Sequence, residues 1–151
     1  MTSEARGFVS MEQTPTMESL AARAGEIHGT LPSDTQNYNT TAVASATTSD
    51  GQPVTLVGSN ENRLRPAQMA ALKPGEIAVS GPGHAETTII DHADANGMTV
   101  HAVAASRPIC NSCAVELTRA GAVPATPLKN SDLFPNFNVL SAPPPVKAPL
   151  K

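Results

Sequence analysis

Apolar residues recur at helical spacing in one part of this chain and lie in short β-favouring runs in others, which separates helices from strands. In residues 11–28 the apolar side chains return every three or four positions, which predicts an amphipathic helix. Residues 41–48 and 53–58 are rich in β-favouring side chains and flank an Asp-Gly turn, which predicts an antiparallel hairpin. Residues 31–39 lie between helix and hairpin, and their Pro, Ser, Asp and Asn content predicts a loop.

After the hairpin, the pattern predicts helices that alternate with strands. The predicted elements are a short helix at 66–72, a short strand at 77–80, a helix at 85–96, a strand at 98–105 and a helix at 111–120. Gly97 and Gly121 directly follow the two longer helices, where glycine commonly ends a helix. This order predicts an α/β protein in which a mixed sheet, begun by the antiparallel hairpin, lies between layers of helices.

Length and composition indicate one domain. The 151 residues, 40% of them hydrophobic, suffice for a single core. We therefore treat residues 1–151 as one domain, with an N-terminal helical extension at 1–35 and a proline-rich tail at 129–151. The chain after Gly121 is expected to be mostly extended or irregular. No apolar run approaches the roughly 18 residues of a membrane span, and the first residues lack a signal-peptide pattern, so we expect no membrane contact and no export signal in the chain itself.

Four side chains at two predicted helix starts carry the candidate chemistry. His84 and Glu86 lie at the start of one helix, and Cys110 and Cys113 at the start of the next. Helical side chains tilt towards the N-terminus, so all four can reach an ion beyond the helix ends. One imidazole and two thiols are the three ligands of a catalytic zinc site that keeps a fourth position for water. With both cysteines used in this way no disulfide remains, which fits a reducing compartment.

The two motifs resemble the signature of the zinc-dependent cytidine deaminase superfamily. The H-x-E motif lies at residues 84–86 and the C-x-x-C motif at residues 110–113, and the chain looks most similar to the deaminase domains of bacterial polymorphic toxins. The similarity covers roughly residues 40–128. It departs from the family pattern in one place, because Ile109 separates Pro108 from the first cysteine where the family has Pro-Cys.

The resemblance implies a fold, a metal and a mechanism. The fold is the three-layer α-β-α deaminase fold, with Zn²⁺ held by two helix N-termini. His84, Cys110 and Cys113 correspond to the zinc ligands, and Glu86 corresponds to the residue that moves a proton from water to the departing amine. His92 and His101 are the nearby candidates for a fourth ligand of a structural zinc site. His92 lies two turns along its helix and His101 lies mid-strand, so both are expected to be surface or satisfied core histidines.

Six residues are candidates for substrate contact, each with an ordinary structural alternative. They are Asn60, Asn62, Arg63, Arg65, Arg107 and Phe137. The asparagines follow the second predicted strand, where small-nucleoside deaminases of similar fold hold sugar or base, or they are polar loop residues. The arginines either contact phosphate at the pocket rim or form a solvated surface. The phenylalanine either stacks on an extruded base or anchors the tail to the core.

The resemblance implies deamination of cytosine in DNA, and the composition favours single-stranded DNA as the substrate. A net charge of -3 argues against a broad nonspecific nucleic-acid footprint, and single strands need no base extraction. The resemblance also implies a toxin domain at the C-terminus of a larger secreted protein, delivered into the cytoplasm of a competing bacterium, and a cognate immunity protein in the producer. Two alternatives stay open: a deaminase of free cytidine, another nucleoside or a base, and a non-catalytic zinc-stabilised binding module.

Overall fold

A computed structural model describes residues 15–129 and places five strands in one mixed sheet. The strands are β1 (Thr41–Thr47), β2 (Pro53–Ser59), β3 (Glu76–Ala78), β4 (Thr99–Ala105) and β5 (Val123–Pro124). The helices are α1 (Met17–His28), α2 (Ser33–Gln36), α3 (Pro66–Ala70), α4 (Ala85–Asn96) and α5 (Asn111–Ala120). Across the sheet the strand order is β3-β2-β1-β4-β5. Strand β1 is antiparallel to β2 and β4, whereas β3 and β5 add in parallel at the two edges.

Helices cover both faces of this sheet, which confirms the predicted three-layer α/β fold. Helix α1 buries Leu20, Ala24 and Ile27 against one face. Helices α4 and α5 pack on the opposite face, where Ile89 and Leu117 belong to the larger hydrophobic core. The N-terminal helix is therefore one of the three layers. None of the helices within residues 15–129 has the length and apolar character needed to cross a bilayer.

The ends of the main helices follow from local sequence. Gly97 and Gly121 adopt left-handed φ angles of 71° and 79° and end α4 and α5 as predicted. The Thr16 hydroxyl accepts a hydrogen bond of 3.0 Å from the Ser19 backbone N–H, so α1 begins at Met17. The predicted helix at residues 11–28 is thus confirmed from residue 17 onward, and its first four residues lie outside the described part of the chain.

The predicted hairpin, short helix and short strand are present, and two segments differ from expectation. The loop predicted at residues 31–39 contains the one-turn helix α2. The chain after α5 contains β5, which pairs Val123 with Ala102 of β4. This pairing provides hydrogen-bond partners for backbone groups of β4 that would otherwise be unpaired. Pro124 is tolerated in β5 because an edge strand can lack one backbone N–H. Such a long-range partner leaves no local signal in a proline-containing segment.

Gly58, near the end of β2, allows α4 to lie directly against the sheet. A Cβ atom here would stand 3.1 Å from the Ala85 carbonyl oxygen and 3.3 Å from both the Ile89 and Val79 side chains. The first turn of α4 therefore lies at the end of the sheet where strands β2 and β4 finish and strand β1 starts. The candidate site lies at this end of the strands.

Candidate metal centre

Two helix N-termini hold the ligand donors predicted from the sequence. His84 is the N-cap of α4, and Cys110 is the N-cap of α5, both with extended backbone. Gly83, with a φ of 95°, turns the chain into α4 just before His84. Glu86 and Cys113 lie in the first turns of the two helices. The strand-to-helix connections thus bring all four side chains to one point.

His84, Cys110 and Cys113 are close enough to coordinate one metal ion. The Sγ atom of Cys110 lies 3.8 Å from His84 Nδ1 and 3.2 Å from Cys113 Sγ, and the three donor atoms lie within 4.8 Å of one another. A tetrahedral ion with zinc–sulfur bonds of about 2.3 Å places two sulfurs about 3.8 Å apart. The donors therefore fit such an ion after a small separation of the sulfurs.

This cluster has three donors in the part of the chain that the structure describes. No fourth His, Cys, Asp or Glu joins it between residues 15 and 129. His92 lies on α4 and His101 on β4, and the exposed His101 ring contacts the Thr47 hydroxyl instead. Three protein donors suit a site that keeps one coordination position for another molecule.

The two cysteines have different electrostatic environments. Burial is the main cause that raises the pKa of Cys113, and the Glu86 carboxylate adds to it. Burial also acts on Cys110, but hydrogen bonds from the Ser112 hydroxyl and the Cys113 backbone N–H outweigh it and lower its pKa. The Ser112 oxygen stands 3.3 Å from the Cys110 sulfur. Cys110 is therefore the more acidic thiol, and a cation is needed to stabilise the Cys113 thiolate.

Glu86 is buried beside the donor cluster without belonging to it. Its side chain is 3% exposed, and its Oε1 atom lies 3.6 Å from the Cys113 sulfur. Burial raises the pKa of this carboxyl group, although its own backbone N–H and the Cys113 thiol act in the opposite direction. A buried carboxyl group with a raised pKa holds a proton more readily than an ordinary glutamate does.

A cavity of about 240 Å³ opens on the cluster. It is lined by Thr40, Asn60, His84, Glu86, Arg107, Pro108, Cys110 and Lys129. Thr40 and Lys129 were not among the predicted site residues, because they reach the cavity through the pairing of β1 and through a bridge between Ile109 and Leu128. Neither position has a local motif that could have indicated it.

Asn60 and Arg107 are the predicted substrate residues that line the cavity. The Asn60 side chain is held by two hydrogen bonds: its Oδ1 accepts from the Thr40 backbone N–H at 3.0 Å, and its Nδ2 donates to the Tyr38 carbonyl at 3.2 Å. Arg107 donates through Nη2 to the carbonyl oxygen of Asn37. Both residues thus tie the segment before β1 to the cavity wall.

The other predicted substrate residues are not brought to this cavity. Asn62 and Arg63 border a separate, shallow depression on the surface. Arg65 forms a two-point ion pair with Glu61, with nitrogen–oxygen distances of 2.8 and 2.9 Å. Phe137 lies outside the described residues.

A buried polar network lies behind the cavity wall. His28, for which the sequence indicated no partner, has its Nδ1 atom 3.0 Å from the Thr41 hydroxyl and its Nε2 atom 3.1 Å from the Gln36 carbonyl oxygen. The fully buried Gln68 donates to the same hydroxyl at 2.8 Å, and Asn39 donates to Glu61 at 2.8 Å. The network fixes the segment that enters β1.

Comparison with family models, with curated proteins and with solved structures finds no match to this chain.

Proposed function

We propose that this chain is a zinc-dependent hydrolytic deaminase that converts cytosine to uracil in nucleic acid, with single-stranded DNA as its main substrate. The observation that carries the proposal is the buried Glu86 carboxyl group, which stands at the cavity beside three metal donors and outside their cluster. A structural zinc site is usually closed by a fourth protein ligand. Three donors and a separate proton carrier are instead the parts of a hydrolytic site.

His84, Cys110 and Cys113 would hold the ion. An imidazole and two thiols are donors that zinc prefers, and here they lie within 4.8 Å of one another. The positive ends of two helices favour the thiolate forms. When bound, zinc would supply Lewis-acid activation of a water molecule at neutral pH.

Glu86 would carry the protons of the reaction. Its carboxylate would accept a proton from the attacking water and deliver one to the amine that leaves cytosine, so that cytosine and water give uracil and ammonia. The raised pKa of Glu86 supports this role, because it makes the carboxylate a better proton acceptor than an ordinary glutamate. Its burial also keeps bulk water from competing for the proton.

The cavity supports a single base as the reacting group. Its volume of about 240 Å³ lies below the roughly 300–1,000 Å³ of sites for drug-sized molecules. Asn60 is fixed in the wall, and its amide retains an acceptor lone pair and a donor hydrogen for a base or a sugar. Arg107 and Lys129 place positive charge on the same wall, where they can contact phosphate.

A deaminase of free cytidine is the second candidate, and the small cavity with its fixed Asn60 amide favours it. The experiment that separates the two offers zinc-loaded protein equal concentrations of cytidine, a cytosine-bearing single-stranded DNA, the same DNA as a duplex, and the matching RNA. We expect uracil chiefly in the single-stranded DNA. Faster conversion of cytidine would replace the proposal with the second candidate.

We extend the proposal to a biological role as the toxin domain of a secreted protein that enters a competing bacterium and is neutralised in the producer by an immunity protein. The support for this role is the resemblance of the motifs at residues 84–86 and 110–113 to toxin deaminases. Expression in bacteria that lack uracil repair should raise the frequency of C·G to T·A mutations. The Glu86→Gln protein, expressed at the same level, should leave that frequency at background.

A further inference from the structure

One aromatic ring is displayed beside the cavity. Tyr38 is the single Phe, Tyr or Trp residue within residues 15–129, and it is 55% exposed. Aromatic rings are usually packed into cores, where they bury 150–250 Å² each. Here the ring is exposed to solvent, and the core formed by residues 15–129 contains no Phe, Tyr or Trp side chain.

The backbone holds Tyr38 in place, so the exposed ring is not needed for the fold. Its N–H donates to the Thr35 carbonyl at 3.2 Å, and its own carbonyl accepts from Asn60 Nδ2 at 3.2 Å. Thr40, two residues further on, lines the cavity. Two residues span at most about 7 Å, so the backbone of Tyr38 lies no more than about that distance from the backbone of the cavity residue Thr40.

Cationic side chains lie near Tyr38 and in the cavity beside it. Glu61 is the main cause that raises the pKa of Arg65, and the Tyr38 hydroxyl adds to it, so the guanidinium group lies near that hydroxyl. Arg107 and Lys129 line the cavity next to which Tyr38 is anchored. The nearby carboxylate of Glu61 is already paired with Arg65. An exposed ring beside a cavity that carries cationic side chains is an arrangement by which proteins hold single-stranded nucleic acids, through base stacking and backbone charge.

We propose that Tyr38 is a stacking platform for the base that neighbours the target cytosine in a single strand. The inference rests on the proposed deaminase function and narrows its substrate, because only a chain of nucleotides can fill the cavity and the platform together. Arg107 and Lys129 would contact the phosphates that join the two bases. A free nucleoside would use the cavity alone.

The chain provides its own reporter for this contact. It contains one tyrosine and no tryptophan, so its tyrosine emission comes from Tyr38 alone. Titrating zinc-loaded Glu86→Gln protein with a cytosine-bearing single strand should quench this emission in step with binding. The same strand with abasic positions on both sides of the cytosine should bind without quenching, and strands with one abasic position should identify the stacked neighbour.

Variants then measure the contribution of the ring. Tyr38→Leu should raise the KM for the single strand about tenfold, as expected for loss of one stacked base, and Tyr38→Phe should retain the wild-type value. The kcat should change little in either variant. Met69→Ala, which removes another exposed apolar side chain, is the matched control and should leave KM unchanged. With the strand that is abasic on both sides of the cytosine, Tyr38→Leu should have the same KM as the wild-type protein.

Two results would overturn the inference while leaving the deaminase proposal intact. One is efficient deamination of the single strand with unchanged Tyr38 emission. The other is an equal penalty for Tyr38→Leu on normal and abasic strands, which would indicate a protein surface or a structural role. If no strand is deaminated and none quenches the emission, both the inference and the proposed function are wrong.

Discussion

At the residue scale, Cys113 would determine how the proposed zinc centre takes up its ion. Burial and the Glu86 charge raise the pKa of its thiol, so the metal-free site keeps that proton at neutral pH. Zinc binding must displace it, and the apparent zinc affinity should therefore rise with pH and fall as the solution is acidified. A competition titration against a chromophoric chelator at pH 6 and pH 8 measures this slope. A pH-independent affinity would contradict the assignment of Cys113 as a ligand.

Variants of the same segment separate ligation from packing. Cys113→Ser should lose bound zinc and lower the melting temperature, because an ion held by the three donors would link the starts of α4 and α5. Ser112→Ala alters only a neighbour that hydrogen-bonds the Cys110 sulfur, and it should retain one zinc per chain. Metal analysis and thermal unfolding of both proteins check the prediction. Full zinc content in Cys113→Ser would exclude it as a ligand.

The sequence identified those residues whose roles depend on neighbours close in the chain. His84 and Cys110 could be placed because each begins a helix that its own flanking residues define. Thr40 and Lys129 could not, because strand pairing between distant segments brings them to the cavity. Arg65 pairs with Glu61, only four residues away, but this pairing depends on a loop conformation for which the sequence carries no signal.

At the element scale, the contact between β2 and α4 positions the centre. Gly58→Ala would push its new methyl group against the Ala85 carbonyl oxygen, which cannot move without displacing the first turn of α4. We expect a loss of about 1–3 kcal/mol of stability, typical of overpacking, and a lower kcat because Glu86 is in that turn. Denaturant unfolding and a deamination assay measure the two effects.

Gly25 provides the matched control within α1. A Cβ atom there meets no other atom within 4 Å, and the backbone is helical. Gly25→Ala should therefore stabilise the protein by up to about 1 kcal/mol and leave kcat unchanged. Equal effects of the two substitutions would show that α4 does not depend on close contact at Gly58.

Element types could be predicted where periodicity and end signals agreed. Helices α4 and α5 were placed correctly because Gly97 and Gly121 end them with left-handed backbone. The short strand β5 was missed, since Val123 and Pro124 form it only by pairing with β4. The amphipathic helix α1 was found, but the face of the sheet that it covers depends on tertiary packing.

At the scale of the whole molecule, an ion pair joins helix α1 to β3, the strand at one edge of the sheet. Arg23 lies 2.7 Å from Glu76, with side chains only 14% and 10% exposed, and also donates to the Ala71 carbonyl. Arg23→Met would leave the Glu76 charge without this partner. We expect a loss of about 2 kcal/mol, between the values typical of exposed and buried pairs. Chemical denaturation at pH 7 measures it.

The pH dependence of this loss has a defined sign. Burial would raise the pKa of Glu76, but hydrogen bonds from Arg23 and the Lys73 backbone N–H outweigh it, so the pKa lies below its ordinary value of 4.5. The stabilisation is therefore complete above pH 4.5 and disappears as the pH falls through the folded-state pKa. Arg119→Met, at an exposed ion pair on α5, should change stability little at any pH. A loss in Arg23→Met that persists at low pH would indicate packing instead.

The most direct test of the proposed deaminase function measures zinc content and turnover together, on wild-type and on Glu86→Gln protein. Glu86 lies outside the donor cluster, so the variant should retain one zinc per chain. Its deamination of a cytosine-bearing single strand should fall by at least about 10²-fold, the usual contribution of a general acid and base. Near-native turnover in Glu86→Gln, or no turnover in the zinc-loaded wild type, would contradict the account.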